Sequence, residues 1–434
     1  MSKEDTKQVV LVSEHKTYAL AQHLMKTYSF LTPEDTERII YVYHEDLGIY
    51  KPDARVIIDI ECQKALRELA SEGVISYIRN TIARETYFDR EKFDAIGNLV
   101  CVKNGILNLD TLELNPHSPQ IPFLRYIPVD WNPNIDCKLF KEALAKTFSE
   151  KDACYMKQYI GYFLIPKNIY KRACIVVGDH DTGKTKIVEA CRNMLGGKTY
   201  TSSLSLQDLD HNFLPAQLEG KTANIRSEIT SKDMKHYERF KNLVSTDTIT
   251  VHKKNQQPFE LENKAKFLFT SNKLPPDPND DAYTKRLLIL VANHNYDECN
   301  DGDEYIDYKL NAPDELSGML NFALEGYKML RKNHDFFPKQ SIQEIRNLYT
   351  SWSGDNISKF ISSKIEITPN SRISKDAVYA EYCSFCLDNG NESSLTKNAF
   401  WLSLKSKIKV VDIQESASRN PARPWMVIGI SLLQ

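Results

Sequence analysis

Long apolar runs are missing from this sequence of 434 residues. A membrane-spanning helix needs roughly 20 consecutive apolar residues, and no stretch approaches that length, so we expect no contact with a membrane. The opening residues, MSKEDTKQVVLVSEHK, also lack the apolar segment of a signal peptide. Together these absences predict an intracellular protein.

Cysteine is sparse and scattered. The nine cysteines form an odd-numbered set without the tight spacing of a disulfide framework, which predicts reduced thiols. Only Cys383 and Cys386 have the spacing of a metal half-site, and no second CxxC or HxxxH follows to supply two further zinc ligands. We therefore interpret both cysteines as small apolar residues of a helix.

An excess of positive charge is missing as well. Lysine and arginine number 56 against 58 acidic residues, for a net charge of −2. This balance excludes a uniformly basic surface but leaves room for local patches that bind a nucleic-acid backbone. The length and the ordinary hydrophobic share of 41% predict a globular protein of two or three domains.

Patterns along the chain predict an α/β protein with five regions. Residues 1–130 form a mixed α+β N-terminal domain, 131–170 a helical collar or linker, 171–300 a P-loop core, 301–340 a further helical segment and 341–434 a C-terminal winged-helix domain.

Three local features refine this division. We expect the amphipathic helix DIECQKALRELASEG to end at Gly73. A hairpin should turn at Asn104–Gly105. The acidic run Asp297–Asp307 should be a solvated loop.

A phosphate-binding loop is the strongest motif. The apolar strand ACIVV precedes GDHDTGKT, which fits G-x-x-x-x-G-K-[ST] at every fixed position, and a periodic helix follows. The loop N–H groups and the helix N-terminus would bind phosphate, Lys184 would reach the β and γ phosphates, and Thr185 would offer a hydroxyl to Mg²⁺. The predicted nucleotide-binding residues are Gly178, Asp179, His180, Asp181, Thr182, Gly183, Lys184 and Thr185.

Polar residues follow or precede three later strands. Glu228 follows ANIR, where a carboxylate can hold Mg²⁺ and polarise the attacking water, or can be a plain loop residue. Asn272 follows the buried-type strand FLF, where an amide can orient water against the γ phosphate, or can be a turn asparagine. Lys285 and Arg286 precede another apolar strand, where an arginine can stabilise transition-state charge in a neighbouring subunit, or can merely flank the strand.

The segment TITVHKKNQQPFEL predicts a hairpin with His252, Lys253 and Lys254 near its tip. A stiff hairpin with a basic tip suits contact with a nucleic-acid backbone, and the alternative is a solvated hairpin end.

The C-terminal region follows the pattern helix, helix, two-stranded wing, which suits duplex DNA or a protein contact. The second helix and the wing carry the basic residues Lys397, Lys405, Lys407, Lys409, Arg419 and Arg423.

In this order the motifs resemble those of the superfamily 3 helicases, in the branch of phage, plasmid and poxvirus primase-helicases. The order is a Walker A loop, a Walker B carboxylate at Glu228, a hairpin motif at Phe240–Lys264, a sensor at Asn272 and then Arg286. Segments outside the motor, such as YVYHEDLGIY and FFPKQS, also resemble this family, so the likeness covers about residues 41–360.

The resemblance implies an AAA+-type ATPase that forms a hexameric ring and moves along single-stranded DNA, usually 3′ to 5′, by ATP hydrolysis. Lys184 and Thr185 would bind ATP and Mg²⁺, Glu228 would activate water, Asn272 would sense the γ phosphate and Arg286 would reach the ATP of the next subunit.

Two features depart from the family pattern. Walker B often carries a second acidic residue, whereas here Ser227 precedes Glu228. The hairpin, on which Lys253 and Lys254 would contact DNA, is less basic and has no aromatic residue beside Lys254.

We therefore predict a helicase that unwinds duplex DNA during replication of a mobile element, plasmid, phage or virus, in the cytoplasm of a prokaryotic host or an infected cell. Its partners would be single-stranded and forked DNA, further copies of itself, and a separate primase or replication initiator. The alternatives are a P-loop switch or assembly ATPase, and an origin-binding initiator without unwinding activity.

Overall fold

The computed structural model describes residues 16–34, 38–94, 97–229, 237–252, 258–274, 279–352, 356–388, 395–408, 414–416 and 426–433. They form two compact units. The first takes its described residues from 1–228, 234–270 and 286–339, and the second from 229–233, 271–285 and 340–434. No helix in the described ranges is long and apolar enough to cross a membrane.

The first unit begins with a small sheet and three helices. Residues 16–27 are helical and belong to α1. The elements that follow are β1 (Phe30–Pro33), β2 (Tyr41–His44), β3 (Ile49–Lys51), α2 (Ala54–Leu66), α3 (Glu72–Glu85) and β4 (Tyr87–Phe88). The strand order is β3-β2-β1-β4. One apolar core joins the helices to β1 and β2.

The predicted helix end at Gly73 is wrong. The helix α2 already ends at Leu66, because Arg67 has a φ of 52° and leaves the helical conformation. Ser71 then caps α3, since its side chain accepts a hydrogen bond from the N–H of Val74. Gly73 is therefore the second residue of a new helix.

A three-stranded antiparallel sheet and paired helices follow. The sheet consists of β5 (Leu99–Val102), β6 (Gly105–Asn108) and β7 (Leu114–Asn115). The predicted hairpin is confirmed, but its turn is Lys103–Asn104, one residue earlier than predicted, because Gly105 already pairs with Val102. The helices are α4 (Lys138–Thr147), α5 (Glu150–Tyr162) and α13 (Pro313–Asn333). Gly161 of α5 and Gly326 of α13 allow these two helices to touch backbone to backbone.

A parallel sheet forms the centre of the first unit. Its strands are β8 (Ala173–Val177), β9 (Thr201–Ser202), β10 (Ala223–Arg226), β13 (Lys266–Ser271) and β14 (Leu287–Val291), in the order β14-β8-β13-β10-β9. Every residue of β8 and β13 is buried. The predicted α/β fold with a parallel sheet is confirmed.

The remaining elements of the first unit surround this sheet. They are α6 (Lys184–Met194), α7 (Gly197–Tyr200), α8 (Leu206–Leu209), α9 (Tyr237–Val244), the hairpin strands β11 (Thr248–Val251) and β12 (Phe259–Glu262), α11 (Tyr296–Cys299) and α12 (Ile306–Leu310).

The second unit combines helices with an antiparallel sheet. Its elements are α10 (Asp281–Thr284), α14 (Ile342–Trp352), α15 (Asn356–Lys364), β15 (Ile365–Ser374), α16 (Lys375–Asp388), α17 (Lys397–Lys407), β16 (Gln414–Ser416) and β17 (Met426–Leu432). The sheet order is β15-β17-β16. Two helices precede the paired strands β16 and β17, as the sequence pattern predicted, while β15 is an additional strand. Cys386 is buried in the apolar core of this unit.

Candidate functional site

The loop between β8 and α6 requires glycine at both of its fixed glycine positions. A Cβ atom on Gly178 would lie 2.7 Å from the carbonyl oxygen of Ala292. Gly183 has a left-handed φ of 75°, and a Cβ atom there would lie 2.7 Å from the ring of Tyr296. The two glycines therefore let the backbone turn and pack closely where a larger residue would displace it.

Lys184, the first residue of α6, is only 5% exposed. Its Nζ donates to the carbonyl oxygen of Asp179 at 2.6 Å, and the Thr182 hydroxyl donates to the same oxygen at 3.0 Å. Burial lowers the pKa of Lys184, and the nearby charges of Asp179, Glu228 and Asp181 oppose this shift. An anionic phosphate at the loop would favour the charged ammonium further.

Glu228 lies at the same end of the parallel strands as the phosphate loop. It comes two residues after β10, and its backbone N–H donates to the Thr270 hydroxyl at 3.1 Å. Its φ of 59° is unusual for a residue other than glycine, and such backbone conformations concentrate at functional sites. Its exposed carboxylate acts on the pKa of Lys184, so the fold brings these two predicted residues together.

Ser227, the residue before Glu228, takes part in an interaction with α6. The Ser227 hydroxyl donates to the carboxylate of Glu189 at 3.4 Å, and Glu189 pairs with Arg192 at 3.1 Å. The guanidinium of Arg192 also donates to the carbonyl oxygen of Ile225 at 2.6 Å. Ser227 therefore joins a polar connection between α6 and the end of β10.

A cavity of about 370 Å³ opens beside the phosphate loop. Its volume lies within the range of ordinary small-molecule sites. One wall is formed by Glu142 and Thr147 of α4, another by Lys184 and Thr185 of α6. The third wall is the segment 296–310.

This third wall is the acidic run, and the prediction of a solvated loop is wrong for part of it. The N–H of Tyr296 donates to the carbonyl oxygen of Asp181 at 2.9 Å, which fixes α11 to the phosphate loop. Ile306 and Leu310 line the cavity from α12. The spacing of these two apolar residues, four apart, was the signal for a helix.

Ion pairs hold the same wall in place. Asp301 pairs with His294 and with Lys146 of α4, at 3.0 Å in each case. Hydrogen bonds from His294 and Lys146 lower the pKa of Asp301. The segment after β14 is thus attached both to α4 and to the phosphate loop.

The exposed hydroxyl-bearing Thr185 and the exposed carboxylate of Glu228 are oxygen donors of the kind that Mg²⁺ takes. Thr185 is the second residue of α6, which follows β8, and Glu228 follows β10. Both therefore come after the carboxyl ends of parallel strands, where such folds bind ligands. The donor set therefore fits the predicted metal.

Arg286 lies at the opposite, amino-terminal end of the parallel strands. It directly precedes β14, and Leu287 pairs with Ala173 at the start of β8. The phosphate loop follows the other end of β8, roughly 15 Å away for five strand residues. The Arg286 Nε donates to the carbonyl oxygen of Lys241 at 3.0 Å. The fold therefore keeps this arginine away from the phosphate loop of its own chain.

Two further predicted residues belong to the second unit. Asn272 directly follows β13 and is half-buried, and Lys285 is exposed just before Arg286.

The predicted hairpin is present, with β11 and β12 in antiparallel register from Thr248–Glu262 to Val251–Phe259. Lys253 and Lys254 lie outside the described residues. His252 is half-buried, and its ring centroid lies 6.1 Å from that of Phe213.

Phe213 is the residue that the sequence reading missed here. Its side chain is 48% exposed and borders an open groove of about 700 Å³ that also includes residues 248–250 of the hairpin. No local pattern predicts this contact, because Phe213 lies between α8 and β10 and meets the hairpin only in the folded chain.

The basic residues of the C-terminal region fall into two groups. Lys405 and Lys407 are exposed in the last turn of α17, and Lys397 at its start pairs with Asp376. The residues Lys409, Arg419 and Arg423 lie outside the described part of the chain.

Comparison with known families agrees with the N-terminal resemblance. Residues 15–149 match the family described as "D5 N terminal like", and residues 176–286 match a "Family of unknown function (DUF5906)". Residues 15–149 are thus similar to a D5-type N-terminal domain. No curated protein matches the chain.

Solved structures of the NrS-1 C-terminal region are similar to this chain at low identity. The apo structure of residues 305–718 is 13% identical, covers 95% of this chain and 98% of its own, and gives a TM-score of 0.47. An A-form apo structure of the same residues is 12% identical, with coverages of 96% and 99% and a TM-score of 0.48.

Proposed function

We propose that this protein is an ATP-dependent DNA helicase of the superfamily 3 type that works as a ring on single-stranded DNA. The observation that carries the proposal is the phosphate loop beside a cavity of about 370 Å³, with the Glu228 carboxylate acting on the buried Lys184. The order β14-β8-β13-β10-β9 supports an AAA+-type core, and the D5-type domain supports a role in replication.

We assign the following roles to the residues at this end of the parallel strands. Lys184 would bind the β and γ phosphates, and the helix N-terminus would add positive potential. Thr185 and Glu228 would hold Mg²⁺, which when bound neutralises phosphate charge. Glu228 would also polarise the attacking water.

A second copy would complete the site. Arg286 lies at the far edge of the sheet from the phosphate loop, so it can serve only a nucleotide held by another chain. Such a contact is head-to-tail, and repeated around an axis it closes a ring. This supports a closed ring of several copies.

DNA would be bound by two surfaces. Phe213 beside His252 offers an aromatic face for stacking a base. Lys253 and Lys254, which follow β11 in the sequence, would bind the phosphates. In the second unit, the succession of α16, α17 and the strands β16 and β17 supports a winged helix, whose Lys405 and Lys407 would contact duplex DNA.

The test is hydrolysis and strand displacement with purified protein. We expect single-stranded DNA to stimulate ATP hydrolysis and forked DNA to be unwound only when ATP is present. In Phe213→Ala, half-maximal stimulation of hydrolysis should require about 5- to 100-fold more single-stranded DNA, because base stacking contributes about 1–3 kcal/mol per base. Basal hydrolysis should stay at the wild-type rate.

Tyr87→Ala, which removes an exposed aromatic of the N-terminal sheet, is the matched control. Hydrolysis that ignores DNA would favour a switch or assembly ATPase. DNA binding that survives without any hydrolysis would favour an initiator.

Mixing subunits tests the role of Arg286. Because an arginine finger contributes roughly 10³- to 10⁵-fold to turnover, Arg286→Ala should abolish hydrolysis while leaving nucleotide binding intact. When it is mixed with wild type, total activity should drop below the sum of the separate activities, since each arginine serves a neighbour. Strictly additive activity across all mixing ratios would show that Arg286 is not shared between subunits.

A further inference from the structure

The helix α12 has two faces of opposite character. Ile306 and Leu310 face the cavity, and Leu310 is only 1% exposed. Tyr305, the residue just before α12, is 69% exposed and Tyr308 is 82% exposed. These are the two most exposed aromatic side chains in the described ranges. Large aromatic surface of this kind is typical of residues that anchor protein interfaces.

The segment that carries the two tyrosines also carries acidic residues, some of them without an ion-pair partner. Asp303 pairs with Lys309, and Asp307 pairs with Lys186. Within the described part of the chain, Asp297, Glu298 and Glu304 form no ion pair. We call Asp297, Glu298, Glu304, Tyr305 and Tyr308 the tyrosine rim.

The opposite edge of the sheet is basic. Lys171 is exposed two residues before β8, and Arg286 directly precedes the parallel neighbour β14. Lys241 lies beside them, since its carbonyl oxygen accepts from the Arg286 side chain. We call Lys171, Lys241 and Arg286 the basic edge.

We propose that the tyrosine rim of one copy docks on the basic edge of a second copy. The rim belongs to the segment that walls the nucleotide cavity, so this contact would bring Arg286 of the neighbour toward that cavity. Opposite charges would set the orientation, and the tyrosines would supply the buried area. The two faces differ and lie on one chain, so each copy can bind two neighbours. The inference rests on the proposed ring.

The first test measures assembly by sedimentation velocity in the presence of ATP and single-stranded DNA. We expect Tyr305→Ser with Tyr308→Ser to weaken self-association about 10-fold or more, as loss of central interface aromatics does. Binding of ATP to the single subunit should stay unchanged. Tyr77→Ser, at an exposed tyrosine of α3, is the matched control and should assemble like wild type.

The second test exchanges charges across the contact. Glu304→Lys alone and Lys171→Glu alone should each weaken assembly, and the two variants mixed together should associate again through the restored pair. Assembly of the tyrosine variant at wild-type strength, or no recovery in the charge exchange, would overturn the inference. A wild-type chain that binds ATP but stays single would overturn it too. Normal assembly without DNA-stimulated hydrolysis would instead overturn the proposed helicase.

Discussion

Replacing Lys184 with alanine should lower ATP hydrolysis about 100- to 1,000-fold, the usual effect of removing one charge-stabilising donor from an active site. The structural reason is that Lys184 is the buried cation of the phosphate loop, with its Nζ 2.6 Å from the Asp179 carbonyl oxygen. The measurement is steady-state phosphate release with saturating DNA. Nucleotide binding, followed by fluorescence, should weaken as well.

Lys332→Ala is the matched control, because Lys332 is an exposed lysine at the end of α13. It should hydrolyse ATP at the wild-type rate. If Lys184→Ala kept more than a tenth of wild-type turnover while remaining folded, the loop would not be the hydrolytic site.

Replacing Gly326 with alanine should destabilise the first unit by about 3 kcal/mol or more, at or above the upper end of the usual cost of overpacking. The added Cβ atom would lie 2.0 Å from the Lys157 carbonyl oxygen and 3.2 Å from the Gln158 Cα atom. These are backbone atoms, so α5 and α13 would have to move apart. Urea unfolding followed by circular dichroism measures the change.

The control is Gly73→Ala, at a helical glycine around which no atom lies within 4 Å of the added Cβ. It should be neutral or stabilise the protein by about 0.4–1 kcal/mol, because alanine restricts the unfolded chain. Equal unfolding midpoints for the two variants would mean that the helix contact at Gly326 can relax.

The phosphate loop could be predicted because its signals are local. A buried strand, two glycines, a lysine and a helix follow one another within about 20 residues, and each has its own spacing rule. The strand before Glu228 was harder to recognise, because Asn224 interrupts its apolar pattern. In the structure Asn224 is fully buried. Its side-chain oxygen accepts hydrogen bonds from the Ser202 hydroxyl and the Leu204 N–H, and its side-chain nitrogen donates to the Leu204 carbonyl oxygen. A local sequence pattern cannot predict hydrogen-bond partners that lie about 20 residues away in the chain.

The remaining features depend on contacts between distant segments. Phe213 reaches His252 across the fold, and Gly161 meets Gly326 and Tyr327 between two helices that are far apart in sequence. The composition of the acidic run predicts a solvated loop because charge dominates it, yet Ile306 of this run lines the cavity. Composition predicts the average environment of a segment, whereas the lining of the cavity depends on the direction of each side chain.

The separation of Arg286 from the phosphate loop along β8 and β14 would also act as a safeguard for the cell. Under the proposed function, a single subunit would bind ATP without an arginine to speed its cleavage, because its own Arg286 lies at the other end of the strands from the phosphate loop. Rapid ATP hydrolysis would then begin only after subunits assemble. Under the proposed function, unassembled subunits would therefore leave the nucleotide pool undisturbed.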